Sequence, residues 1–389
     1  MGYSKRWLNS VIDYIVSFSP LDMGRASTLV KRELEYIENE VSAIEDHSLM
    51  KACMIAMRQP LPLFLASPAV SSSGTDGIPL HGRQGTPEDI VLRLKEAGFL
   101  HEGLTAADIF PPAALTSTSQ ISFEAAAGSG MGRHHAYPGG LVVHVASNLR
   151  RCLDQARAYG DIYGIKLRRD ILVAACIFHD CMKPYALQWM PNGLPCPEAM
   201  IAGEGAHHVM SLAQTIAIGV DPMTLTAAAS APRDPGQARG EVASFIAAAC
   251  LLAGVEPEQS GAVFNACISD GGNQAGCMQP GNPYPKAGAW SLSYPGLVEY
   301  WLIYLSDSDY ALTNSAASTV ESAFSHLAVE QYGFSHSDLA SPRFRQFRNF
   351  VFSQLSSEYL YWKLTVYGKD AFREDIDKTI RQVCMMNLI

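Results

Sequence analysis

Asp170-Ile171-Leu172-Val173-Ala174-Ala175-Cys176-Ile177-Phe178-His179-Asp180-Cys181-Met182-Lys183-Pro184 is the stretch around which the rest of the chain is read. Residues 171–178 are apolar on every face of a helix, so they predict a fully buried helix, not an amphipathic one. Asp170 is placed to cap its start. Pro184 biases Lys183 out of the helical conformation, so the helix ends close to His179-Asp180. A histidine and a carboxylate at the end of a buried helix are costly unless they are paired or ligate a metal. Imidazole nitrogen beside carboxylate oxygen suits a divalent ion such as Mn, Fe, Zn, Co, Ni or Mg. The plainer alternative is a His-Asp hydrogen bond that closes a core helix.

Beyond this stretch most segments predict helix, and the chain reads as mainly α. Residues 25–56 carry Leu29, Val30, Leu34, Ile37, Val41, Ile44, Met50 and Cys53 at helical spacings, as two helices. Residues 61–85, rich in Pro, Ser and Gly, read as a linker between an N-terminal helical region, 1–60, and a helical lead-in, 86–125. Thr86-Pro87-Glu88-Asp89 opens that lead-in with an N-cap, a proline at the first position and an acid three residues on; Gly98 ends the helix. A core over 126–320 and a C-terminal helical extension over 321–389 complete the organisation. Residues 7–16 suggest a short amphipathic helix and not a signal peptide. In the extension, Phe344, Phe347 and Phe350 form an apolar helical stripe that implies core or a homodimer face. Arg343, Arg345 and Arg348 interleave with it, which a single-stranded nucleic-acid groove would need. An amphipathic helix with a snorkelling basic face is the cheaper reading.

Composition sets limits on function. The 389 residues are 48% hydrophobic and 17% charged, a globular balance that excludes disorder of the whole chain. A net charge of −9 argues against a dedicated nucleic-acid binder. The longest apolar stretch, residues 243–255, falls short of the roughly 20 residues of a membrane span. Nine scattered cysteines without a C-x-x-C pair read as reduced thiols of a cytoplasmic protein, and Cys176 and Cys181 as core packing before zinc ligands. There is no G-x-G-x-x-G dinucleotide turn, no G-x-x-x-x-G-K-[S/T] phosphate loop and no G-x-S-x-G elbow.

Six of the eleven histidines, His134, His135, His144, His179, His207 and His208, fall within residues 134–208. His144 lies in an early apolar turn of the preceding helix and can face the His179 helix. Asp307, on an apolar helix spanning 300–311, can return a carboxylate to the same place. Asp307 and Asp309 point about 200° apart on a helix, so only one can do so, and periodicity does not decide between them. One histidine, a His-Asp pair and a distant Asp on three helices would make a cage with open positions, the catalytic kind of metal site.

The order His144, His179-Asp180, Asp307 resembles the HD-domain superfamily of metal-dependent phosphohydrolases. The flanks His134-His135-Ala136-Tyr137-Pro138-Gly139-Gly140-Leu141 and Phe178-His179-Asp180-Cys181-Met182-Lys183-Pro184 are similar to that family's first ligand helix and its H-D-x-x-K segment. The likeness covers about residues 126–315. It implies one divalent ion on His144, His179, Asp180 and Asp307, and a second on His207 and His208 or with Asp270. It also implies a water made acidic by the ion, which attacks a phosphate ester of a nucleotide or related small molecule. Asp180, Lys183, His207 and His208 would serve catalysis, with Lys183 neutralising a phosphate oxygen. Arg133, His134, His135, Tyr137 and Lys183 would line the substrate mouth. A catalytically silent, metal-binding regulatory or scaffold protein of the same fold is the alternative.

Overall fold

The computed structural model describes residues 5–65, 85–111, 121–266, 287–308 and 310–386, and over these the protein is mainly α-helical. Most of the expected linker, Asp270 and Asp309 lie outside the described residues.

The Arg169–Phe178 helix sits at the centre, with every residue from Ile171 to Phe178 buried. Its start differs from expectation. Arg168 occupies the N-cap position, and the Asp170 carboxylate accepts the backbone N–H groups of Glu45 and Asp46, at 2.9 and 3.0 Å. Two neighbouring helices, Thr28–Ser42 and His47–Arg58, pack on this one, and the turn between them brings donors that need an acceptor. Arg168 instead gives its backbone N–H and its Nε–H to Glu299.

The Gly140–Tyr163 helix crosses the central helix with its first half. Leu141, Val142, Val145 and Leu149 are buried, while Ile162 and Tyr163 at its far end are exposed. The Ala206–Ile218 helix follows a short antiparallel hairpin, Met200–Ile201 paired with Glu204–Gly205. Two-residue strands are too short to show alternation, so no sequence signal announces them. The apolar stretch near residues 243–255 is a buried core helix, Arg239–Ala253, and among the described residues no helix is long and apolar enough to cross a membrane. The helix expected over 300–311 ends at Asp307, and a separate helix, Tyr310–Gln331, follows. Thr86 caps the Pro87–Glu96 helix as expected, accepting the Asp89 N–H at 3.2 Å.

Apolar side chains gather into two cores. The larger one surrounds the central helix. The smaller joins the Lys5–Ile15 helix, through Leu8, Val11, Ile12 and Ile15, to the C-terminal helices. There Phe324 packs on Phe347 with ring centres 5.4 Å apart. On the Pro342–Leu355 helix Phe344, Phe347 and Phe350 are core, one of the two expected outcomes, but Arg348 departs from both readings of the basic residues. Arg348 does not snorkel and is not available to a nucleic acid. It is buried, donating to Glu321 Oε2 at 2.7 Å and to the Ala136 carbonyl, with its guanidinium over the Phe352 ring.

Two predictions follow from these charges. Arg348→Leu strands the Ala136 carbonyl and the Glu321 carboxylate, and should lower the unfolding free energy by about 3 kcal/mol in urea titrations. Glu33 accepts from Arg150 at 2.6 Å and from Arg32. Burial alone would raise its pKa, but these two guanidinium groups hold it below the usual 4.5. Its contribution is therefore present above the unfolded pKa and lost as pH falls through the folded one. The stability gap between wild type and Glu33→Gln should be widest near neutral pH and close below about pH 4.

Candidate metal centre

His179 is the C-cap of the central helix, and its Nδ1 lies 3.0 Å from the Cys176 carbonyl. A carbonyl can only accept, so Nδ1 carries a proton, and Nε2 is the nitrogen turned toward the cluster. That Nε2 lies 3.1 Å from Asp180 Oδ2 and 3.7 Å from Asp307 Oδ1. His144 Nε2, from the crossing helix, lies 3.0 Å from Asp180 Oδ2 and 3.2 Å from Asp307 Oδ1. His144, His179 and Asp180 are buried, and Asp307 is partly exposed at the end of its helix.

These separations test whether the four side chains suit a metal. Two ligands about 2.1 Å from one ion stand about 3.0 Å apart at a right angle and about 3.4 Å apart at a tetrahedral angle. The nitrogen–oxygen distances fall around those values. Asp180 Oδ2 is buried with three nitrogens around it, the Nε2 atoms of His144 and His179 and the Lys183 ammonium. One donor also reaches this point: Asn148 Nδ2 lies 2.9 Å from Asp307 Oδ1, 3.2 Å from His144 Nε2 and 3.5 Å from His179 Nε2, so a bound ion would take the place of these amide contacts. His144, His179 and Asp307 offer donor atoms within 4.8 Å of one another and could hold a divalent ion. Asp180 stands among them.

The surroundings keep the carboxylates ionised. Burial would raise the pKa of Asp180, but the His179, Lys183 and His144 nitrogens hold it well below the carboxylate range. Lys183 is itself buried. Its Nζ pairs with Asp180 Oδ2 at 2.6 Å and donates to the Gly128 carbonyl at 2.6 Å. The ammonium expected to reach a phosphate is thus already engaged in holding Asp180.

The adjacent histidines divide. His207 Nε2 lies 3.4 Å from Asp180 Oδ1, while its Nδ1 lies 2.6 Å from Glu198 Oε2. Burial opposes its charge, but the Glu198 and Asp180 carboxylates raise its pKa to about 9. Glu198 falls to about 2, its burial outweighed by the His207 charge and hydrogen bonds. His208 turns elsewhere: its Nδ1 donates to the His179 carbonyl at 3.2 Å and its ring packs edge-on against Phe245. Burial pushes His208 down to about 3. Successive helical residues point about 100° apart, so the two rings have separate surroundings.

Of the residues expected at the substrate mouth, Arg133 is exposed on the loop before the His144 helix, and His134 and His135 lie beside the His144 ring. Tyr137 does not line a mouth. It is fully buried in the smaller core.

Sequence reasoning missed Asn148 and Glu198. Asn148 is one turn beyond His144 on the same face, a spacing that could have exposed it. Its Nδ2 donates to Asp307 Oδ1 at 2.9 Å, its Oδ1 accepts from Arg151 at 2.7 Å, and Arg151 also donates to the Ser306 carbonyl. Glu198 carries no such signal, because the hairpin that returns it to His207 is not visible in the sequence.

No family model matches the chain, and no solved structure matches it. A 52-residue segment, 13% of the chain, is 40% identical to the dihydroneopterin 2',3'-cyclic phosphate phosphodiesterase of Methanocaldococcus jannaschii. The match spans 21% of that protein's length.

Asn148 and Arg151 together hold the Asp307 carboxylate against the two histidines. Asn148→Ala should leave the fold intact and weaken divalent-metal affinity by about ten- to a hundredfold, read by competition with a chromophoric chelator.

Proposed function

We propose that the protein is a metal-dependent phosphohydrolase of the HD type, acting on phosphate esters of small molecules and on phosphodiesters first. The observation that carries this reading is the convergence of His144 Nε2, His179 Nε2, Asp180 Oδ2 and Asp307 Oδ1 at ligand-to-ligand distances. The 52-residue likeness to a cyclic-phosphate phosphodiesterase supports the choice of bond.

When bound, a divalent ion supplies Lewis acidity toward a phosphoryl oxygen and lowers the pKa of a nearby water. The chain's own groups do the rest. Lys183 holds Asp180 in register and offsets its buried charge, leaving Asp180 ionised. His207, protonated at neutral pH by virtue of Glu198, is the group able to give a proton to a departing alkoxide from Nε2. His134 and Arg133, on the loop beside the cluster, are placed to meet the ester's substituent.

The test begins with metal content, by elemental analysis of the protein purified without chelator, beside His179→Ala. Transition metal in the wild type, lost in the variant, is expected. Hydrolysis of bis(p-nitrophenyl) phosphate and a 2',3'-cyclic nucleotide should then fall by at least about a hundredfold in Asp180→Asn and in Lys183→Met. Full activity in Asp180→Asn overturns the reading. Metal bound with no turnover of any ester would favour the silent regulatory alternative.

A further inference from the structure

The loop ahead of the His144 helix carries a second set of nitrogen donors. His134, His135 and His144 each place one ring nitrogen within 4.8 Å of the others. Nδ1 of His134 lies 3.0 Å from Nδ1 of His135, with the rings nearly perpendicular, at 88°. That spacing is the edge expected of two ligands at a right angle about one ion.

The far side of His135 is prepared as well. Its Nε2 faces Glu358 Oε1 at 3.5 Å, and Glu358 Oε1 also accepts from the Ser357 hydroxyl at 3.0 Å. A ligating histidine commonly has its other ring nitrogen turned to a carboxylate, which sets both tautomer and orientation. Glu358 comes from the C-terminal helices, more than two hundred residues away in sequence.

The backbone is strained at His135 and two residues ahead of Glu358. Among the described residues, three other than glycine have positive φ: His135 at 54°, Ala202 at 53° and Ser356 at 59°. Two of the three belong to this contact, His135 itself and Ser356, which opens the short Ser357–Trp362 helix that bears Glu358. The turn at His135 is also held by close glycine contacts. A Cβ on Gly140 would lie 1.9 Å from the His135 carbonyl oxygen, and one on Gly128 would lie 2.7 Å from the His135 Cβ. Strain of this kind persists where the surroundings over-determine it, and it gathers at ligand sites.

We infer that His134 and His135 hold a second divalent transition-metal ion through their Nδ1 atoms, with Glu358 orienting His135. Imidazole donors favour zinc, iron, nickel or cobalt over magnesium. The site adjoins the His144–His179–Asp180–Asp307 cluster across the His144 ring. It does not depend on the proposed hydrolytic activity.

The full chain, equilibrated with Zn²⁺ by dialysis, is the material for the test, with elemental analysis as readout and circular dichroism to check folding. Wild type should bind two ions, and His134→Ala and His179→Ala one each. Glu358→Gln, a near-isosteric change that decides the matter should His134→Ala unfold, should weaken one of the two ions at least about tenfold. A single ion lost in His179→Ala but kept in His134→Ala and unweakened in Glu358→Gln would leave the first centre standing and overturn this one, leaving a hydrogen-bonded histidine pair. A single ion lost in His134→Ala but kept in His179→Ala would uphold this site and remove the first.

Discussion

The burial of one carboxylate, Asp180, constrains everything near it. Removing a carboxylate from water costs several kcal/mol even after a protein relaxes around it. The helix that delivers Asp180 is apolar on all sides and offers no compensation of its own. Compensation has to come from neighbours, and it does: Lys183 from the next turn, His179 from the preceding position, His144 from the crossing helix and His207 from the start of another. Each contact fixes the angle or the end of a helix. The arrangement of helices in the larger core is, in this sense, the set of positions from which nitrogen can reach one buried oxygen pair.

The neighbouring histidines 207 and 208 show how finely this environment sorts identical side chains. One turns toward two carboxylates and is held protonated; the other turns toward Phe245 and a carbonyl and is held neutral. Sequence reading names both as equivalent candidates, because nothing in a His-His dipeptide tells which ring faces which neighbour. The helix rotation of about 100° per residue guarantees that they differ. The positions of Glu198 and Asp180 decide which one becomes charged.

What could be read beforehand follows from the range of the forces involved. The helix at 171–178, its end at the His-Asp pair and the cap at Thr86 rest on local chemistry, and all three are found. The mainly α architecture follows from the same local signals. His144 and Asp307 lie 35 and 128 residues from His179, so their helix positions only allow a shared cluster, which the family resemblance then specifies. Asp170 misled because capping propensity is local, whereas its actual partners, the N–H groups of Glu45 and Asp46, arrive through tertiary packing. Arg348 misled for a related reason. A basic residue between phenylalanines reads as solvent-facing until a buried carbonyl and a carboxylate are known to meet it. Glu198 and Glu358 are acids at ordinary surface-like positions in the sequence, and only the folded chain brings each to a histidine.

The loop 133–137 is where the two cores meet, and this gives the terminal helices a bearing on the histidine cluster. Tyr137 is part of the smaller core, while His144, a few residues on, belongs to the wall of the larger. Arg348 grips the Ala136 carbonyl, and Glu358 stands against His135. The smaller core is in turn tied back by the Ser27 hydroxyl, which donates to the Ser353 carbonyl at 2.7 Å at the start of the Thr28–Ser42 helix. Close-packed interiors transmit displacement instead of absorbing it. A shift of the Pro342–Leu355 helix would therefore carry Arg348 with it, pull on Ala136 and alter the strained turn at His135. The C-terminal helices thus bear on the histidine cluster through two contacts, although neither their sequence nor their distance along the chain suggests it.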